Sequence, residues 1–153
     1  MNYKDAYKKR NQSINYSEAA CEMLLRSKKI PYQKFGFDNR TKDIFGKKYF
    51  DLDLRLKKQP DFIIYHKKFI LLECKSFDKN GDVRIKKSDV IGYNYWNNFL
   101  DLYLFIYYSI KNTYVKVSLN DIFKASNDIE MEYYWDNKEA YKTIHINKLI
   151  NNK

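Results

Sequence analysis

The sequence predicts an α/β fold, a central mixed β-sheet flanked by helices, followed by a β-rich C-terminal extension. Three observations carry that expectation. Two apolar runs, Phe62 to Tyr65 and Phe69 to Cys74, flank a short polar break at His66, Lys67 and Lys68, the pattern of two strands joined by a tight hairpin. Ile63, Tyr65, Phe69 and Leu71 fall on one face of that hairpin, and Phe62, Ile64, Ile70, Leu72 and Cys74 on the other. Both faces are apolar, as for strands covered on both sides. A helical pattern that begins at Ser88 or Asp89 then leads into Leu102 to Ile110, the most apolar stretch of the chain. A strand–helix–strand order of this kind favours a right-handed crossover and parallel pairing.

The elements follow in order. Residues 1–12 are polar and basic, with Lys8-Lys9-Arg10, and read as a loose arm, either a tail or a phosphate contact. A helix is expected from about Ser17 to Lys29, with Ser17 as N-cap and Ala20, Cys21, Leu24 and Leu25 as its apolar stripe. Arg26, Lys28 and Lys29 suit the negative end of its dipole, and Ile30-Pro31 ends it. Tyr32 to Phe37 reads as a strand and Asp38 to Lys48 as a loop. Tyr49 to Lys57 alternates leucine with charge and reads as a half-exposed strand, which makes Asp51 and Asp53 solvated rather than metal-binding. After the hairpin, Ser76 to Ile85 reads as a loop around Asn80-Gly81, and a helix runs to about Phe99. The last third predicts a strand at Tyr114 to Leu119 and a short helix at Leu119 to Ala125. A terminal hairpin of Ile129 to Trp135 with Tyr141 to Ile146 turns at Asp136-Asn137-Lys138.

At 153 residues the chain predicts one domain, with a core over about 13–110 and an extension over about 111–153. The hydrophobic fraction of 44% is high enough to bury a core. No apolar run approaches a membrane span, and the first twenty residues lack a signal-peptide core, so an intracellular, cytoplasmic protein is expected. Cys21 and Cys74 make no disulfide framework, and His66 and His145 make no zinc pattern. No glycine-rich phosphate loop and no Ser/His/Asp setting is present. The net charge of +10 is uneven: residues 1–87 hold 22 basic against 11 acidic side chains, residues 88–153 hold 7 against 8. Such asymmetry fits either a polyanionic partner on one side or a solvated basic surface.

The chemistry concentrates at the hairpin. With a turn centred on Lys67, Asp61 lies opposite Glu73, and Lys75 shares their face two positions on. Opposed residues have Cβ atoms about 5 Å apart. Unpaired ions at such strand ends cost several kcal/mol of desolvation. A hard cation such as Mg²⁺, which takes oxygen ligands and keeps waters, offsets that cost. The other reading is a structural salt bridge among the same three groups.

Pro60-Asp61 followed by Glu73-Cys74-Lys75 resembles the signature of the PD-(D/E)XK nuclease superfamily. The resemblance implies a restriction-endonuclease-like α-β-β-β-α-β core. It implies Mg²⁺, with Mn²⁺ substituting, held by Asp61, Glu73 and the backbone carbonyl of Cys74, and Lys75 orienting or activating the attacking water. The helix carrying Glu18 resembles the first helix of archaeal Holliday-junction resolvases, which implies that Glu18 approaches the metal. Glu22, one turn on, is the alternative, and acids at helix N-termini are ordinary. Lys79, Arg84, Lys86 and Lys87 follow the catalytic strand and are expected to contact DNA phosphates. The implied function is metal-dependent endonucleolytic hydrolysis of double-stranded or branched DNA, by a homodimer if the resolvase likeness extends that far. The alternatives are a restriction- or repair-type nuclease and a catalytically silent nucleic-acid-binding module. Some superfamily members carry Gln-x-x-x-Tyr on the second helix. Asp89 and Tyr93 have that spacing without the glutamine, so Tyr93 is assigned to core packing. Tyr133, Tyr134 and Trp135 are assigned to core or dimer interface ahead of base stacking, and Cys74 to a buried structural thiol.

Overall fold

The computed structural model describes residues 16–36, 46 and 48–150. The basic arm, Phe37 and most of the loop expected over Asp38 to Lys48 lie outside the described residues.

Helix α1 covers residues 16–27. It buries Cys21 and Leu25, the stripe read from the sequence. Ser17 is not an N-cap, because residue 16 is already helical and Ser17 is buried. The helix ends where Lys29 takes φ 52° and the Ile30 amide returns to the Leu25 carbonyl at 2.9 Å. Strand β1 (Tyr32–Lys34) follows. The strand expected over Tyr49 to Lys57 is instead two short helices, α2 (Lys48–Asp51) and α3 (Leu54–Lys57). The Asp53 carboxylate accepts the Arg55 amide at 2.8 Å and so starts a helical turn in place of a pleat.

The hairpin has the predicted register. Strands β2 (Phe62–His66) and β3 (Lys68–Ser76) pair from Phe62↔Leu72 to His66↔Lys68, with Lys67 alone at the bend at φ 64°. Residues 77–81 form a loop, but Asp82–Lys86 is a strand, β4, where a longer loop was expected. Val83 and Ile85 point into the core while Arg84 stays exposed. Helix α4 (Lys87–Asn97) then crosses to β5 (Leu102–Tyr108), which pairs parallel with β3 as expected. Strand β6 (Thr113–Ser118) and helix α5 (Leu119–Ser126) follow. Strands β7 (Glu132–Tyr133) and β8 (Ala140–His145) form the terminal hairpin, and α6 (Ile146–Ile150) closes the described chain.

The five-stranded mixed sheet has the order β1-β2-β3-β5-β6, and a second sheet has the order β4-β8-β7. The larger sheet is covered on both faces. One core cluster joins Cys21 and Leu25 of α1 to Phe62, Ile64, Ile70, Leu72, Cys74 and Phe105. The other joins Leu71, Leu104 and Ile106 to Tyr93 of α4 and Ile122 of α5. Burying side chains of this size stabilises by about 1.5–3 kcal/mol each. Cys21 and Cys74 are free, buried thiols. No helix among the described residues is long and apolar enough to cross a membrane.

Candidate active site

The site forms where β2 begins and β3 nears its end. Pro60 is fully buried, and the Asp61 carbonyl accepts the Phe35 amide at 2.8 Å just beyond β1, which fixes the backbone at Asp61. The Asp61 side chain reaches across the hairpin, where its Oδ2 accepts the Cys74 amide at 2.7 Å. Burial, then the neighbouring Glu73 and Glu18 carboxylates, push the Asp61 carboxyl well above the usual carboxylate range. The Cys74 amide and Lys75 pull against them without prevailing. Glu73 is likewise raised, chiefly by burial and further by Asp89, against Lys75 and a hydrogen bond from Tyr93. The pleat that puts residues 73 and 75 on one face brings Lys75 Nζ to 3.5 Å from Glu73 Oε1.

Helix α4 completes the site from the other layer. Asp89 and Tyr93, one helical turn apart, face the sheet together. The Tyr93 hydroxyl donates to Glu73 Oε1 at 2.7 Å. Asp89 is only 3% exposed and accepts Lys75 Nζ at 2.9 Å and Lys58 Nζ at 2.6 Å. Burial alone would raise the Asp89 carboxyl, but the two ammoniums outweigh it and hold the group ionised far below its ordinary value. For Lys75, burial alone would favour the neutral amine. Asp89, Glu73 and Asp61 outweigh it and raise Lys75 above its ordinary value, so the group is an ammonium.

Of the residues expected from the sequence, Asp61, Glu73 and Lys75 come together here, and Glu18 is near enough to raise Asp61. Glu22 is engaged elsewhere, accepting the Tyr32 hydroxyl at 2.7 Å and Arg26 at 2.9 Å. Asp53 is paired with Arg55. The basic residues after β3 disperse. Lys79 and Lys87 are exposed, Arg84 lies over the Tyr141 ring at 5.3 Å, and Lys86 pairs with Glu139 at 3.0 Å. Tyr133 and Trp135 are not core residues, being 63% and 79% exposed, whereas Tyr134 packs on Tyr141 with ring centroids 4.3 Å apart.

Asp89, Tyr93 and Lys58 were missed as site residues. Tyr93 does pack in the core as assigned, yet its hydroxyl is committed to Glu73. The i, i+4 spacing of Asp89 and Tyr93 was the available signal. Lys58 had none, since its place depends on α3 packing against α4.

The donor chemistry fits a hard divalent cation. Asp61, Glu73 and Asp89 set three carboxylates against the ammoniums of Lys58 and Lys75, and Glu18 adds a further acid beside Asp61. Burial is the largest cause that raises the Asp61 and Glu73 carboxyls, a desolvation cost that a bound cation would offset. Among the described residues no three His, Cys, Asp or Glu side chains converge as a metal cage. Two carboxylates with waters suit Mg²⁺ better than Zn²⁺.

No protein-family model matches the chain, and no curated protein matches it. Among solved structures the chain is similar to D212, a nuclease from a fusselovirus, with a TM-score of 0.49 and 12% sequence identity, covering 91% of this chain and 83% of that chain.

Proposed function

We propose that the protein is a Mg²⁺-dependent endonuclease that hydrolyses DNA phosphodiester bonds. The observation that carries this reading is the juxtaposition of two acids and an amine at the hairpin: Asp61 Oδ2 accepts the Cys74 amide at 2.7 Å, and Lys75 Nζ lies 3.5 Å from Glu73 Oε1. Asp61, Glu73 and the Cys74 carbonyl would hold the cation, with Glu18 reached directly or through water. When bound, such a cation would offset charge on the scissile phosphate and make a water at the site more acidic. Lys75, raised above its ordinary value by the acids around it, stands as an ammonium beside the attacking water. Its part is to orient that water and to stabilise the negative charge that develops on phosphorus oxygens. The water oxygen bonds to phosphorus, the bond to the 3′ oxygen breaks, the water's proton leaves to solvent and the 3′ oxygen takes one up from solvent, giving a 5′-phosphate and a 3′-hydroxyl. Tyr93 fixes the rotamer of Glu73, and Asp89 fixes Lys75. Exposed basic side chains, Lys79, Arg84 and Lys87 among them, position the DNA backbone without reading sequence. Branched DNA is the substrate class this reading favours, cut by a two-fold dimer with one site per strand.

Incubation with plasmid, linear duplex, flap and four-way junction, with and without Mg²⁺, tests this directly. Cleavage that requires Mg²⁺ and disappears in Asp61→Ala and Lys75→Ala is the expected result. Salt-sensitive binding without cleavage would make the chain a silent binding module.

A further inference from the structure

We propose that Lys58 is a positioning residue that sets the Lys75 ammonium by way of Asp89, an assignment that rests on the nuclease reading above. Asp89 divides its two oxygens between two ammoniums, Oδ1 to Lys58 and Oδ2 to Lys75. It is almost fully buried, so these contacts fix its orientation. An ammonium that is a carboxylate's single partner can take both of its oxygens, as Lys148 does with Asp128 at 2.8 and 2.9 Å. Lys58 occupies Oδ1 and prevents this. Lys75 is then held by a single oxygen, and of its three N–H donors the others remain for Glu73 and for the reacting water.

The placement of Lys58 is built into the fold. Its backbone amide closes the end of α3 on the Leu54 carbonyl at 3.0 Å. The Trp96 indole of α4 donates to the Arg55 carbonyl at 2.9 Å and clamps α3 against α4. At the crossing, α4 carries Gly92, where a Cβ would stand 2.2 Å from the Lys58 Cβ. A glycine inside a helix is about 1 kcal/mol less favourable than alanine. Here it leaves the space that lets Lys58 reach Asp89. Lys58 also lies near enough to Glu73 and Glu139 for its charge to pull on both carboxyls.

A lysine that bound a substrate phosphate would act on KM, whereas a positioning lysine acts on kcat. Lys58→Met is expected to lower kcat about 10–100-fold, the usual effect of removing a residue that orients a catalytic group. KM should stay within about threefold, and Lys58→Arg should recover most of the loss. A second readout needs no catalysis. In metal-free protein the ¹⁵N-labelled Lys75 ammonium should give a slowly exchanging cross-peak that Lys58→Met shifts or abolishes and Lys58→Arg restores. Gly92→Ala displaces Lys58 without removing its charge, and carries both readouts where Lys58→Met does not fold. An unchanged kcat, a loss confined to KM, or an unchanged Lys75 signal would overturn the assignment. Absence of any DNA cleavage by the wild type would sink the nuclease reading instead, while the Lys75 signal still decides whether Lys58 sets Lys75.

Discussion

Replacing Asp61 with asparagine should make the metal-free protein more stable while it abolishes cleavage. Asp61 and Glu73 continue the β2–β3 register as opposed residues. For opposed side chains, whose Cβ atoms stand about 5 Å apart, two ionised carboxylates at an effective dielectric of about 20 repel by about 3 kcal/mol. Lys75 and the Cys74 amide offset part of that for Asp61. The net gain from Asp61→Asn is therefore about 1–3 kcal/mol, and the asparagine oxygen still accepts the Cys74 amide. For a chain of this length that is about 2–4 °C in Tm per kcal/mol. Both carboxyls are raised in the folded state. The stability contributed by their protonation is complete below the unfolded carboxylate value of about pH 4 and is lost as pH rises through the raised folded values. The wild type should thus lose stability between mild acid and pH 8 in chelator, and the variant should lose less. Urea unfolding of both proteins at pH 4, 6 and 8 measures the difference. A variant less stable than wild type at pH 8, or a gain independent of pH, would refute the reasoning.

Mg²⁺ at about 100 times its Kd should stabilise the wild type by about 2.7 kcal/mol, read as a rise in Tm that chelator reverses, and should leave Asp61→Asn unmoved. Tyr93→Phe keeps the buried ring but removes the 2.7 Å donor to Glu73. It should cost about 1.5–3 kcal/mol in urea unfolding at pH 7, with the deficit shrinking toward pH 4 as Glu73 is protonated. Lys68→Ala breaks an exposed ion pair to Asp101 and should change stability by less than about 1 kcal/mol in the same assay, so a larger loss would mean that surface pairs matter here.

The parts of the site that were legible from sequence are those fixed by period-two geometry. Once the bend centres on Lys67 the register follows, and it sets Asp61 opposite Glu73 and puts Lys75 on the same side. The same rule misled at Tyr49 to Lys57. Leu54 and Leu56 fit a strand template, yet both are exposed and make no strand face, and a local side-chain contact from Asp53 to the Arg55 amide decides the conformation. Strand β4 was hidden because it offers only Val83 and Ile85 as apolar residues, and its partner is remote in sequence, Val83 facing Ile144. Lys58 could not be read at all, because it reaches Asp89 across 31 positions and through packing of two helices.

Glu73 and Lys75 ride on β3, which lies inside the sheet, paired with β2 up to Leu72 and with β5 from Leu71 to Ser76. Lys58 follows a four-residue helix with no buried residue. Amide hydrogens of β3 should therefore exchange only through global opening, whereas those of α3 exchange through cheap local fraying. On warming, the protein should pass through an interval in which the acids and Lys75 remain in register but Asp89 has lost one of its two partners. Activity should then decline before the near-ultraviolet dichroism of the core does.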